Sequence, residues 1–128
     1  MTNLQPTAQS NIRREQLVAI GTALPEVEAA GSPHIAFRVR NKTFAYYEFD
    51  HHGDGQISLV SKAPDGVQRV LLESDPERFF YPAYLGSKGW IGLRLDGNGV
   101  DWDEVAWLLE TAYRLVAPKR LRALLKQE

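Results

Sequence analysis

Residues 90–116 read WIGLRLDGNGVDWDEVAWLLETAYRLV, and this stretch decides the fold. Its first part alternates like a half-buried strand, with Ile91, Leu93 and Leu95 on one face and Trp90, Gly92 and Arg94 on the other. In its second part, Asp101 and Glu104 have the spacing of a helix start. After them, apolar residues recur at helical spacing: Val105, Leu108, Leu109, Ala112 and Val116. We therefore expect this helix to pack against the strand that precedes it.

Another helix is predicted near the start of the chain. Leu17, Ile20 and Leu24 recur at helical spacing, and either Ser10 or Asn11 can cap the amino end. Pro25 ends the helix, because the residue before a proline disfavours helical geometry.

Strands of a meander follow this first helix. Alternating residues predict a strand over Ile35–Arg40, and aromatic β-formers predict a second over Thr43–Phe49, with Asn41 and Lys42 as the connection. A third strand, Gln56–Ser61, follows a turn rich in glycine. Strands joined by such short turns pair antiparallel, so the sheet is predicted to be largely antiparallel.

The segment after the third strand has a weaker pattern. Pro64–Glu73 suits a helix or a strand, and we favour a short helix with Asp65 as its cap. Ser74–Glu77 has the form of a capping box around one helical turn, and Phe79–Leu85 is expected to be extended. A short final helix is predicted over Lys119–Lys126. The resulting class is α+β, an antiparallel β-sheet with amino-terminal and carboxy-terminal helices packed on one face in two layers.

The composition is that of an ordinary globular chain, with 44% hydrophobic and 24% charged residues. We assign residues 1–10 to a flexible tail and residues 11–128 to a single domain. The net charge of -1 gives the whole chain no long-range attraction for phosphate polyanions. The chain has no cysteine, no secretory signal pattern and no run of the ~18 apolar residues that span a bilayer. We therefore expect a cytoplasmic monomer that does not contact membranes.

Two stretches of the chain carry family motifs. Residues 81–121 contain a Tyr-Pro pair, a Lys-Gly-Trp lead into the last strand, and a helix with an aromatic residue before its end. Residues 23–48 contain Pro-Glu, Phe-Arg-Val and Lys-x-Phe-Ala pieces. Together they resemble the MmcQ/YjbR family from about Asn11 to Leu125. The resemblance implies a compact fold with a central antiparallel sheet, similar to the CyaY (frataxin) arrangement. It also implies DNA binding, the label that this family commonly carries, and it supplies no catalytic motif.

No catalytic residue, metal site or cofactor is predicted. The loop that starts at Asp50 matches part of a calcium-binding pattern, but Ser61 stands where that pattern needs a carboxylate. We interpret this loop as a hairpin turn. His51 and His52 leave a weak transition-metal site open, although neighbours on a strand point to opposite faces. Gly86–Gly89 lacks the Walker spacing and precedes a strand, so a tight turn is expected there.

Basic residues form two candidate phosphate-binding groups. Arg38 and Arg40 share the polar side of the first strand, and Trp90 and Arg94 share that of the last. If those strands lie close together, the sheet face combines guanidinium groups with aromatic rings, as single-strand binders do. The structural alternative is that arginine stems cover apolar surface, and exposed arginines are expected to contribute little to stability. The second group lies in a carboxy-terminal segment without acidic residues: Arg114, Lys119, Arg120, Arg122 and Lys126. Of these, Lys119, Arg122 and Lys126 share one face of the final helix.

These groups lead to hypotheses from two classes of function. The first is a nucleic-acid-binding or protein-interaction module that acts through the basic-aromatic sheet face and the basic final helix. The second is a small-molecule-binding or enzyme-like protein, which requires a concave pocket that a sequence cannot display. The expected partner is DNA or another protein.

Overall fold

The computed structural model describes residues 4–97 and 99–125, apart from the side chain of His52. Within these residues the helices are α1 (Ala8–Thr22), α2 (Val67–Ser74), α3 (Trp102–Val116) and α4 (Lys119–Arg122). The strands are β1 (Glu28–Ala30), β2 (Ile35–Val39), β3 (Lys42–Phe49), β4 (Ile57–Ser61), β5 (Phe79–Phe80) and β6 (Ile91–Arg94). None of the described helices is long and apolar enough to cross a membrane.

The strands form one six-stranded antiparallel sheet in the order β1-β2-β3-β4-β6-β5. β2, β3 and β4 are the predicted meander, and β6 returns beside β4 with β5 on its far edge. The turn between β3 and β4 is a short 3₁₀ segment, His51–Gly53, which confirms the hairpin interpretation of this loop. The predicted α+β class is therefore confirmed.

The buried core lies between the helices and one face of the sheet, which we call the helix face. Tyr47, Leu59 and Leu93 lie in register on this face and are all buried. The predicted stripe of α3 joins them, with Leu108 and Leu109 buried and Val116 half-buried. The expected partner of this stripe was β6, but α3 lies mainly over β3 and then β4. The helix begins near β5, where Glu104 pairs with Arg78, and its Tyr113 packs on Phe44 of β3, so α3 itself crosses the sheet.

The amino end of α1 is a reciprocal cap. The Ser10 N–H donates to Thr7 Oγ1 over 3.0 Å, and the Thr7 N–H donates to Ser10 Oγ over 2.8 Å. The prediction that Ser10 or Asn11 caps the helix was wrong, because Thr7 is the cap and Ser10 completes it from inside the first turn. α1 thus begins within the segment that the sequence assigned to the tail.

The β2–β3 turn differs from the prediction by one residue. Arg40 and Asn41 form the turn with φ of 50° and 65°. Two central residues with positive φ define a type I′ turn, whose twist matches that of the paired strands. Arg40 therefore leaves the strand, and Lys42 begins β3 in place of serving as a connection.

The helix and the turn predicted between β4 and β5 are both present, but they begin and end at residues other than those predicted. α2 is present, but its cap is Gly66 with φ of 86°, not Asp65. The predicted single turn follows, closed by a hydrogen bond of 3.0 Å from the Phe79 N–H to the Asp75 carbonyl. The extended segment expected over Phe79–Leu85 ends at Phe80, where the chain turns away from the sheet edge.

An ion triad joins this segment to the start of α3. The guanidinium of Arg78 donates to both carboxylate oxygens of Glu104 and, through Nε, to Asp75 over 2.6 Å. No sequence pattern predicted this triad, because Glu104 lies 26 residues away from Arg78 along the chain. The hydrogen bond from Arg78 holds the pKa of the Asp75 carboxyl below its usual range.

Arg78→Met should lower the free energy of unfolding by roughly 1 kcal/mol, since the network is bidentate but partly exposed. The Asp75 pKa is lower in the folded than in the unfolded chain, so its contribution is complete at neutral pH and is lost as pH falls through the folded-state pKa. Urea denaturation at neutral and acidic pH checks both points. Below pH about 4 the difference between wild type and variant should shrink, and a constant difference would contradict this account.

Candidate nucleic-acid interface

The predicted basic-aromatic sheet face is not assembled in the structure. β3 and β4 separate β2, which carries Arg38, from β6, which carries Arg94. At about 4.8 Å per strand, β2 and β6 lie roughly 14 Å apart. Along the strands the register places Arg38 opposite Thr43, whereas the row of Arg94 passes through Ser58 to Glu48. Arg38 and Arg94 therefore occupy opposite corners of the sheet.

The face opposite the helices, which we call the outer face, is covered near β6. The ring of Phe80 lies directly over Gly92, so closely that a Cβ added at Gly92 would clash with the ring. Trp90 lies on this face as predicted, but it is only 6% exposed, with its ring 5.9 Å from that of Tyr46. The Gln68 amide donates to the Trp90 carbonyl over 2.6 Å and so holds the chain in place. Trp90 is therefore not available to stack on bases.

Arg94 is a structural partner of the β5 segment. Its Nη1 donates to the carbonyls of Glu77 and Phe79 over 2.9 and 3.4 Å. Its guanidinium also lies 5.1 Å from the centre of the Phe80 ring. Arg94 is therefore not the free surface cation that was expected. Arg38, by contrast, is exposed as expected.

A cleft of about 380 Å³ lies on the outer face between β3 and the segment after β5. His34, Tyr46, Glu48, His51 and Tyr84 are among its lining residues. The imidazole Nδ1 of His34 accepts a hydrogen bond of 3.1 Å from a backbone N–H of β3, which places the proton of the neutral ring on Nε2. Sequence analysis missed this cleft, because its residues come from three separate segments.

A positively charged surface lies at the end of the sheet beside α4, formed by residues of the β2–β3 turn, β3 and α4. We call this surface the basic end, and it comprises Arg40, Lys42, Lys119, Arg120 and Arg122. Residues 111–125 contain no acidic residue, so this end is locally positive on a chain of net charge -1.

Glu26 links two arginines of the basic end. Arg40 donates to its carboxylate through Nε over 2.6 Å and through Nη2 over 3.2 Å. Arg120 reaches the same carboxylate from α4, with Nη2 at 3.9 Å. The hydrogen bond from Arg40 lowers the pKa of Glu26 below its usual range, so the carboxylate is ionised at neutral pH. Two guanidinium groups around one carboxylate leave the group with a net positive charge.

Buried contacts of α3 bring the two parts of the basic end together. The ring of Tyr113 packs edge-on against Phe44 of β3 at 5.8 Å, and its hydroxyl donates to the Pro25 carbonyl over 2.8 Å. The end of α3 is therefore fixed beside the β2–β3 turn, and α4 follows directly. Lys42 lies opposite Val39, which is buried on the helix face, so the register places Lys42 on the side of α4.

The basic residues predicted on one face of the final helix are only partly available for binding. Arg122 donates through Nη1 to the Ala117 carbonyl over 2.7 Å and thus caps the end of α3. Lys119 is exposed, and the side chain of Arg120 is 71% exposed. Lys126 lies outside the described residues. The sequence placed Arg120 in the carboxy-terminal basic group but not on its shared helical face, and it did not select Lys42. The fold brings both residues near Arg40 and Lys119.

Comparison with known proteins identifies the family of this fold. Residues 22–115 match the YjbR family. The structure is similar to the crystal structure of the Deinococcus radiodurans protein DR2400, domain DUF419, with a TM-score of 0.68 and 21% sequence identity over 86% of this chain and 85% of that chain. At this identity, the similarity to DR2400 shows the fold alone. No curated protein matches the chain. Because the family match covers most of the sequence, the chain belongs to the YjbR family.

Proposed function

We propose that this protein binds nucleic acid through its phosphate backbone, with the basic end as the contact surface. The observation that carries the proposal is the shared Glu26 carboxylate, which gathers Arg40 of the β2–β3 turn and Arg120 of α4 into one group. Exposed lysines lie on both sides of this group, Lys42 on β3 and Lys119 on α4. Clustered cations on one surface are the usual footprint of a phosphate-binding protein.

The chemistry of the basic end favours phosphate contacts over base contacts. A guanidinium has five N–H donors, and Arg40 uses only two of its N–H groups on Glu26. The remaining donors suit phosphate oxygens. The basic end contains no aromatic side chain, and Trp90 is buried elsewhere. The proposed binding is therefore directed to the backbone, with little preference for base sequence.

Salt dependence tests this proposal. If about four cations contact phosphates, log K for duplex DNA should fall linearly with log salt, with a slope of roughly -3 to -4. Fluorescence anisotropy of labelled duplexes with unrelated sequences, measured over a salt series, gives this slope and the sequence preference together. Absence of binding at low salt, or an affinity that does not change with salt, would contradict the proposal.

The cleft on the outer face favours a second candidate function, the binding of a small molecule. Imidazole, carboxylate and phenol groups converge there, at His34, Glu48 and Tyr46, as polar groups do in ligand pockets. Soaking crystals with a fragment library tests this candidate, and fragments bound only outside the cleft would argue against it.

A further inference from the structure

A second cavity lies on the helix face, and its lining residues take part in neither of the two functions proposed above. It has a volume of about 270 Å³ and lies between α1, the β1–β2 connection and the end of β3. Its lining combines four polar side chains, Asn11, Arg14, Ser32 and Tyr47, with apolar walls that include Pro33 and Phe49.

Arg14 is the charged group of this cavity, and within residues 4–97 and 99–125 it forms no ion pair. Arg14 is half-buried as a residue, and its guanidinium makes a long, solvent-exposed hydrogen bond of 3.3 Å from Nη2 to the Gly31 carbonyl. By contrast, neighbouring Arg13 donates to the Leu95 carbonyl over 2.6 Å. Among the described residues, no acidic side chain lines the cavity. A guanidinium at the wall of a cavity attracts negative charge and can donate to an oxyanion, so the cavity is suited to an anion.

Tyr47 supplies a hydrogen-bond donor close to this charge. The residue is 1% exposed, and burial raises the pKa of its phenol, so the hydroxyl is protonated at neutral pH. Arg14 and Tyr47 line the same cavity, and the positive charge of Arg14 partly offsets the effect of burial on the pKa of Tyr47. A guanidinium and a phenol hydroxyl are both donors to an oxyanion.

We propose that this cavity binds a small organic carboxylate, with its oxygens on Arg14 and Tyr47 and its apolar body against Phe49 and Pro33. The planar fork of a guanidinium matches a carboxylate, and its one positive charge balances one negative charge. A phosphate with two charges would meet no second cation among the lining residues. The volume is slightly below the usual range of roughly 300 to 1,000 Å³, which indicates a small ligand.

Benzoate is a suitable probe, and NMR titration of the full chain tests the proposal. Benzoate should shift the Arg14 Nε–H signal and the Tyr47 ring signals along saturable curves. Arg14→Met should weaken binding about tenfold or more, because a charge-assisted pair is lost. Arg14→Lys should restore only part of the affinity, since the charge remains without the fork. Arg69→Met, the same substitution at an exposed site on α2, is the matched control and should not change the curves.

Three results would overturn the proposal: no saturable shift with benzoate, equal affinity in the Arg14→Met variant, or tighter binding of inorganic phosphate than of benzoate. If Arg14→Met does not fold, Tyr47→Phe replaces it, because that change keeps the buried ring and removes only the hydroxyl donor. Tyr47→Phe should bind benzoate several-fold more weakly, and unchanged affinity would contradict the assignment. The cavity shares no residue with the basic end, so failure here leaves the proposed nucleic-acid binding intact.

Discussion

Leu108→Ala should lower the free energy of unfolding by roughly 2 to 5 kcal/mol. Leu108 is 3% exposed and belongs to the buried stripe by which α3 packs on the sheet. The substitution removes buried apolar atoms and leaves a cavity that the surrounding β-sheet cannot fill. This is a large share of the roughly 5 to 15 kcal/mol that stabilises a typical domain. Urea denaturation followed by circular dichroism measures the loss.

Leu115→Ala on the same helix is the matched control. Leu115 is 42% exposed, so its truncation should change the free energy of unfolding by less than about 1 kcal/mol. Both changes convert leucine to alanine within α3, so helix propensity cancels between them. If the free energy of unfolding fell equally in the two variants, α3 would not pack on the sheet as described.

Gly21→Val should destabilise the protein by about 1 to 3 kcal/mol through overpacking. A Cβ at Gly21 would lie 2.6 Å from the ring of Phe37, which is fully buried at 0% exposure. The ring cannot move aside without displacing its neighbours, because protein interiors are close-packed. The contact sets how closely α1 approaches β2, and thermal denaturation reports the cost.

Ala19→Val provides the comparison for this second change. Ala19 is exposed on α1, so valine there costs only the small helix-propensity difference of about 0.6 kcal/mol. If Gly21→Val proved as stable as Ala19→Val, the close approach of α1 to Phe37 would be contradicted.

The regular elements could be predicted from the sequence because their patterns are local. The helix cap at Asp101 and the apolar stripe through Leu108 predicted α3. The alternation of apolar and polar residues around Phe37 predicted β2. β1 was missed, because Glu28–Ala30 is a short edge strand whose residues show no β-pattern. It forms only because β2 offers a free edge beside it.

The candidate site was predicted less well, because its geometry depends on contacts distant in sequence. Alternation extended β2 through Arg40, but the type I′ turn rotates this residue away from the outer face and toward Glu26. Trp90 was placed on the correct face, yet it is buried there, with Tyr46 and Lys62 packed against its ring. Neither the type I′ turn at Arg40 nor the burial of Trp90 could be predicted from the local sequence pattern.

The measurement that tests the central claim most directly compares two double variants by their affinity for duplex DNA at one low salt concentration. Arg40→Ala/Arg120→Ala removes two cations from the basic end, and Arg69→Ala/Lys88→Ala removes two exposed cations from α2 and the 3₁₀ turn before β6. The net charge of the protein falls by the same amount in the two double variants. The first pair should weaken binding about tenfold or more, because contact cations are lost, and the second by no more than about twofold. Equal weakening by the two pairs, with both variants folded, would contradict the assignment of the basic end as the nucleic-acid interface.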